Sequence, residues 1–275
     1  MAKRWLGCFL IGIFIITMSL AFPQESAAPS GGGITLNFNM HDIYLAAYIL
    51  RAKNEPMADE YKNDLTALQS YMEEVSKESY DQLMTVGWED IRPDYMNSDK
   101  LEKLKPFFVE AANAPAFPKL LSQTQSFAIS SKEEWEKNYE KSLGIIKELT
   151  GQNLNQSFTL YFTHPGIKNN ASLPNGILLW GHKEEWANYA TCAIWYEILK
   201  SILGGDKITQ AVLELLCFDH LKTQLNGGEY PPLWNDDPSL KEMKEIILPE
   251  WKLYLTTVTN KNIKTFLEQM KNKLQ

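Results

Sequence analysis

Two apolar stretches near the middle of the chain each carry an isolated carboxylate. From Tyr189 to Leu203 the only charged residues are Glu197 and Lys200, and apolar residues fall all round the helix that this run predicts. The next stretch, Ala211 to Phe218, carries only Glu214 and is followed by Asp219 and His220. An unpaired charge is costly to bury, so each of these groups needs a partner or a changed protonation state. Glu197 and Lys200 are three residues apart and can meet on one helix face, while Tyr196 and Lys200, four apart, share a face as well. Two consecutive apolar helices with central carboxylates suggest that the carboxylates face each other or a shared cavity. The bland alternative puts Glu197 and Glu214 at the edge of the core, touching water.

These residues need elements to hold them. Ile34 to Phe38 alternates as a strand, and Asp42 is placed to cap a helix running to about Lys53. Ala58 to Lys77 predicts a helix with Leu65, Leu68, Tyr71, Met72 and Val75 on one side. Tyr80 to Asp99 is less regular, and Leu101 to Ala112 predicts a helix with Pro106 near its start. Pro115 and Pro118 read as a connection, and Ser131-Lys132-Glu133-Glu134 as the start of a helix that Gly151 ends. Ser157 to Phe162 and Ile177 to Trp180 read as strands, with turns at Pro165-Gly166 and Asn175-Gly176. Four helices follow, over about Lys183–Leu203, Asp206–Leu225, Pro238–Tyr254 and Asn260–Leu274. The fold class expected is α+β, helix-rich, with one small sheet and a buried motif helix.

Tyr196-Glu197-Ile198-Leu199-Lys200, preceded by two strands and followed by a helix with Glu214, resembles the His-Glu-x-x-His region of gluzincin-type zinc metallopeptidases. The resemblance runs from about Phe158 to Leu225, and both motif histidines are replaced. It implies a zincin-like scaffold with Glu197 at the general-base position. Tyr196, Lys200 and Glu214 then stand at former metal-ligand positions, and Asp219-His220 match the polar residues that often follow. Phe158 to Phe162 would be the edge strand along which peptide binds. Losing two of three ligands implies that zinc is lost and no cofactor is held. Lys200 would then neutralise both Glu197 and Glu214. His182, His220 and Glu214 offer an alternative donor set, but no pair has the His-x-x-x-His spacing.

Other chemistry is thinner. There is no Gly-x-Ser-x-Gly elbow, no Walker loop and no Gly-x-Gly-x-x-Gly. The aromatic and acidic run Gly227 to Asp237 reads as a surface loop or the lining of a cleft. Cys192 and Cys217 read equally as buried free thiols or as one disulfide. Asn155-Gln156-Ser157 and Asn170-Ala171-Ser172 are glycosylation sequons.

A formal charge of -7 on 275 residues argues against a nucleic-acid partner, and 44% hydrophobic content with eight Trp is ample for a core. Lys3 and Arg4 precede an uncharged apolar run, Leu6 to Phe22, and Ser19-Leu20-Ala21 supplies small residues for cleavage. The organisation expected is a signal peptide over 1–21, a flexible leader over 22–33 and a single zincin-like domain over 34–275. Export to the periplasm or outside follows, with no stable membrane span after cleavage. The alternative is an N-terminal membrane anchor. The function expected is non-catalytic binding of a peptide or protein. The rivals are a hydrolase using a rearranged metal site or Glu197 without metal, and an unrelated helical interaction protein.

Overall fold

Along one four-residue strand, Leu178 and Trp180 enter one hydrophobic core while Ile177 and Leu179 enter another. Alternation with period two makes this possible, because successive side chains leave opposite faces of a sheet. The structure is a computed structural model describing residues 33–96, 101–167, 170–182, 185–228 and 238–274. The expected signal peptide, nearly all of the leader, and residues 229–237 of the aromatic loop lie outside the described residues.

The described residues form a helix-rich α+β fold with a four-stranded mixed sheet. Its strands are β1 (Thr35–Asn39), β2 (Ser157–Phe162), β3 (Ala171–Leu173) and β4 (Ile177–Trp180), in the order β1-β2-β4-β3. β1, β2 and β4 run parallel, with Leu36 opposite Phe158 and Leu160 opposite Leu178. β3 is antiparallel to β4 and ends the sheet, with Ser172 opposite Leu178. β2 is thus an inner strand. The edge beside the motif helix is β3, not the Phe158–Phe162 strand that the family resemblance suggested.

One face of the sheet packs on α1 (Asp42–Arg51), α2 (Asp59–Val75), α3 (Lys77–Thr85) and α4 (Lys105–Ala112). The N-cap of α1 is His41, whose Nδ1 accepts from the Tyr44 N–H at 3.2 Å, rather than Asp42. In α2 the buried residues are Leu65, Leu68, Gln69 and Met72. Tyr71 and Val75, expected on that side, are 40% and 42% exposed, because at 100° per residue they fall to one side of the stripe that Leu65, Leu68, Gln69 and Met72 make.

α5 (Phe117–Thr150) ties the two cores together over 34 residues. Phe117 and Leu120 belong to the first core, and Ala128, Trp135, Leu143 and Ile146 to the second. Its start is not Ser131, which lies fully buried in mid-helix and accepts from Trp180 Nε1 at 3.3 Å. Pro118 occupies the first turn, where its missing N–H costs no helical bond. Gly151 ends the helix at φ 62, a conformation open to glycine.

The second core is closed by α6 (Tyr189–Leu203), α7 (Lys207–Glu214), a π-helical stretch (Leu215–Leu221), α8 (Lys222–Asn226), α9 (Pro238–Thr257) and α10 (Ile263–Leu274). α6 begins later than Lys183, and its N-terminal turn is held from outside. The Thr191 N–H donates to the Glu134 carboxylate of α5 at 2.8 Å, which pairs an orphan donor with a negative charge. Fully buried Ile198 and Leu199 contribute about 1.5–3 kcal/mol each to holding this helix. No helix among the described residues is long and apolar enough to cross a membrane.

Candidate functional site

α6 delivers Tyr196, Glu197 and Lys200 to the side of the sheet where β3 lies. Glu197 is 5% exposed, and its Oε2 stands 3.6 Å from Lys200 Nζ. That spacing makes an ion pair but is too long for a hydrogen bond, and Oε2 has no hydrogen-bond partner among the described residues. Burial pushes the Glu197 carboxyl above its usual range, while the Lys200 ammonium and then the hydroxyl and N–H of Ser172 in β3 pull it back. The pair is therefore asymmetric. The carboxylate side chain is 7% exposed and the ammonium side chain 27%.

Tyr196 is engaged through its ring. It stacks on Phe218 with centroids 5.2 Å apart, and Phe218 stacks in turn on Tyr189 at 6.1 Å. Lys200 Nζ lies 5.7 Å from the Tyr196 ring centroid, so the cation touches a π face as well as a carboxylate.

Glu214 does not share Lys200. Its cation is Lys244 of α9, 3.4 Å away, and the same ammonium lies 3.6 Å from Asp219. All three side chains are buried: Lys244 is 6% exposed, Glu214 12% and Asp219 6%. The expected three-way grouping of Lys200 with Glu197 and Glu214 thus resolves into two separate ion clusters. The π-helical stretch explains how one lysine reaches two carboxylates. In an α-helix residues five apart point about 140° away from each other. An i→i+5 ladder brings Glu214 and Asp219 back towards one face.

The histidines are dispersed. His182 lies beside Glu185 at 3.7 Å and packs on Trp180 and Tyr189. Burial lowers the pKa of His220, with Glu148 and Lys261 nearby. Among the described residues no group of three His, Cys, Asp or Glu side chains is arranged to hold a metal ion. The donor set at the motif does not fit zinc either. Tyr196 is committed to a stack, Lys200 brings a positive charge and Glu214 is neutralised by Lys244. Cys192 and Cys217 are buried free thiols whose pKa values burial raises.

Three residues here escaped the reading of the sequence: Ser172, Lys222 and Lys244. Lys222 Nζ sits 3.7 Å over the Trp186 ring, and burial lowers its pKa to about 8. Lys244 had a signal. It falls within the buried stripe Leu240, Ile247, Trp251 and Tyr254, where a lysine is out of place.

No protein-family model, curated protein or solved structure matches this chain.

Proposed function

We propose that this protein is an exported, zincin-like binding protein without hydrolytic activity, and that it takes up an extended peptide along the outer edge of β3. One juxtaposition carries this reading. β3 is the end strand of the sheet, with β4 on one side only, and Ser172 in it faces the buried Glu197 of apolar α6. Among the described residues an end strand offers an incoming strand the backbone groups that point away from its neighbour, and the Ser172 N–H, which lies beside Glu197, exchanges that carboxylate for the peptide on binding. The chain order of β3, β4, α6 and then α7 with Glu214 supports the zincin-like scaffold. The charges at Lys200 and Lys244 support the loss of hydrolysis, since each occupies a carboxylate that a metal mechanism would need. Export rests on Lys3-Arg4, the apolar run Leu6 to Phe22 and Ser19-Leu20-Ala21.

The test combines binding with location. Labelled extended peptides are titrated against the protein by fluorescence anisotropy, and amide hydrogen exchange is followed with and without peptide. The reading expects slowed exchange at Ala171, Ser172 and Leu173 on binding. Binding that leaves these amides unchanged, or no binding, refutes it.

A further inference from the structure

On leaving β2 towards β3 the chain turns through His164-Pro165-Gly166-Ile167, and this turn is pinned to α2. The Gly166 N–H donates to His164 Nδ1 at 3.0 Å, and the Ile167 N–H donates to the His164 carbonyl at 3.0 Å. The Gly166 carbonyl accepts at 2.9 Å from the N–H of Ala58, the N-cap of α2, and Ile167 bridges Met57. Nothing larger than glycine fits under the turn, since a Cβ on Gly166 would lie 2.6 Å from Tyr61 Cβ. His164 itself is fully buried, and its neighbours fix its tautomer. A backbone N–H only donates, so Nδ1 is unprotonated and Nε2 carries the proton, 3.1 Å from Gln123 Oε1. Gln123 of α5 donates in turn to Asp64 of α2 at 2.9 Å, and Lys119 of α5 holds the other Asp64 oxygen at 2.7 Å. Hydrogen bonds from Lys119 and Gln123 hold the Asp64 carboxyl below its usual range, so it stays ionised, with Lys119 as its counter-ion. Tyr61 of α2 sets its ring edge against the imidazole at 5.1 Å. The titratable groups that face His164 among the described residues are thus Tyr61, Asp64 and Lys119, and the one carboxylate is already matched.

We propose that this turn is an acid-operated latch: a proton taken up from water at His164 Nδ1 removes the acceptor of the Gly166 N–H, so that Pro165 to Ile167 lift from α2 and loosen the connection into β3. The inference does not depend on the peptide-binding reading and adds a control on the strand which that reading uses. Burial lowers the His164 pKa to about 4 while the turn is closed, and opening to water returns it to about 6.5. Opening is then favoured about thirtyfold more at pH 5 than at pH 7.5.

The test follows amide hydrogen exchange by NMR at pH 7.5 and pH 5, with each rate divided by its intrinsic value so that it reports the opening equilibrium. The amides of Ala58, Gly166 and Ile167 should open about thirtyfold more at pH 5, while the Thr163 amide, bonded to the Trp180 carbonyl at the end of the sheet, should change little. In His164→Asn the side-chain oxygen replaces Nδ1 as acceptor for the N–H two residues on, and it takes up no proton in this range. That variant should hold the same amides closed at both pH values. Imidazole nitrogen shifts of the unmodified protein supply a second measurement, and their midpoint should fall well below 6.5. Unchanged opening at Gly166, a rise that persists in His164→Asn, or a rise that Thr163 shares overturns the inference. A His164 midpoint at its ordinary value overturns it as well.

Discussion

Lys244→Met removes the ammonium that lies 3.4 Å from Glu214 and 3.6 Å from Asp219. At an effective dielectric of about 20, attraction at such distances is about 5 kcal/mol per pair before desolvation is subtracted. Desolvation of three groups cancels much of it, and breaking a buried pair typically costs about 3–5 kcal/mol. Glu214 and Asp219 each take part in a further interaction, which places the expected loss near the lower end, about 3 kcal/mol. For a chain of this size that is a fall in Tm of about 6–12 °C, readable by differential scanning fluorimetry or calorimetry. The sign with pH is fixed too. The penalty comes from ionised carboxylates without their cation, so it should shrink as pH falls and they take up protons. Adding Glu214→Gln and Asp219→Asn to Lys244→Met should recover most of the loss, because an uncharged cluster needs no counter-ion. A Tm change within about 1 °C for Lys244→Met, or a loss that is the same at neutral and acid pH, would refute the assignment of Lys244 as the counter-charge.

The other predictions concern groups whose ionisation burial has shifted. Glu197 has a raised folded-state pKa, so its contribution to stability is present below the unfolded value and lost as pH rises through the folded value. Glu197→Gln should therefore raise Tm more at neutral pH than near pH 4, and equal gains would count against a buried carboxylate. His164, fully buried just after β2 with its Nδ1 accepting from the Gly166 N–H at 3.0 Å and its Nε2 3.1 Å from Gln123 Oε1, runs the other way. Burial lowers its pKa from 6.5 to about 4, so stability is full above 6.5 and is lost as pH falls towards 4. That interval corresponds to about 3 kcal/mol, and His164→Gln should be less acid-labile by up to that amount in urea melts at pH 7 and pH 4.5. Cys192 and Cys217 should ignore a thiol reagent until the chain is unfolded, and a fast reaction of either in the native protein would contradict their burial.

The elements that local chemistry decides were legible in the chain. β1, β2 and β4 alternate or carry β-formers, and Gly151 marks the end of α5 as glycine should. What failed was the weighing of one local signal against another. Ser131-Lys132-Glu133-Glu134 has the spelling of a helix start, yet buried residues recur from Phe117 through Leu120, Thr124, Ala128, Ser131 and Trp135 at intervals of three or four. The unbroken stripe wins, because burying it on two cores outweighs a cap worth about 1 kcal/mol. β3 was illegible for a different reason. Three half-buried residues have too little pattern to predict a strand, and β3 exists because β4 offers it a ladder.

At the site, the sequence supplied the buried carboxylates Glu197 and Glu214, missed the buried Lys222 and Lys244, and misassigned what neutralises Glu214. Glu197 and Lys200 share a helix, so their pairing follows from a spacing of three and is formed. Glu214 and Asp219 are five apart, a spacing that an α-helix splits between faces, and a partner for both is unreadable until the π-helical turn is known. Their lysine comes from α9, on the far side of residues 229–237 in the chain, and only tertiary packing brings it in. Each central carboxylate of the two apolar helices ends up with a lysine of its own. The idea that lysine supplies the positive charge in these buried helices therefore survives in an altered form, with Lys200 serving Glu197 and Lys244 serving Glu214 and Asp219. Lys200 is the more exposed of the two, so water screens its pair with Glu197 more than it screens the Lys244 cluster.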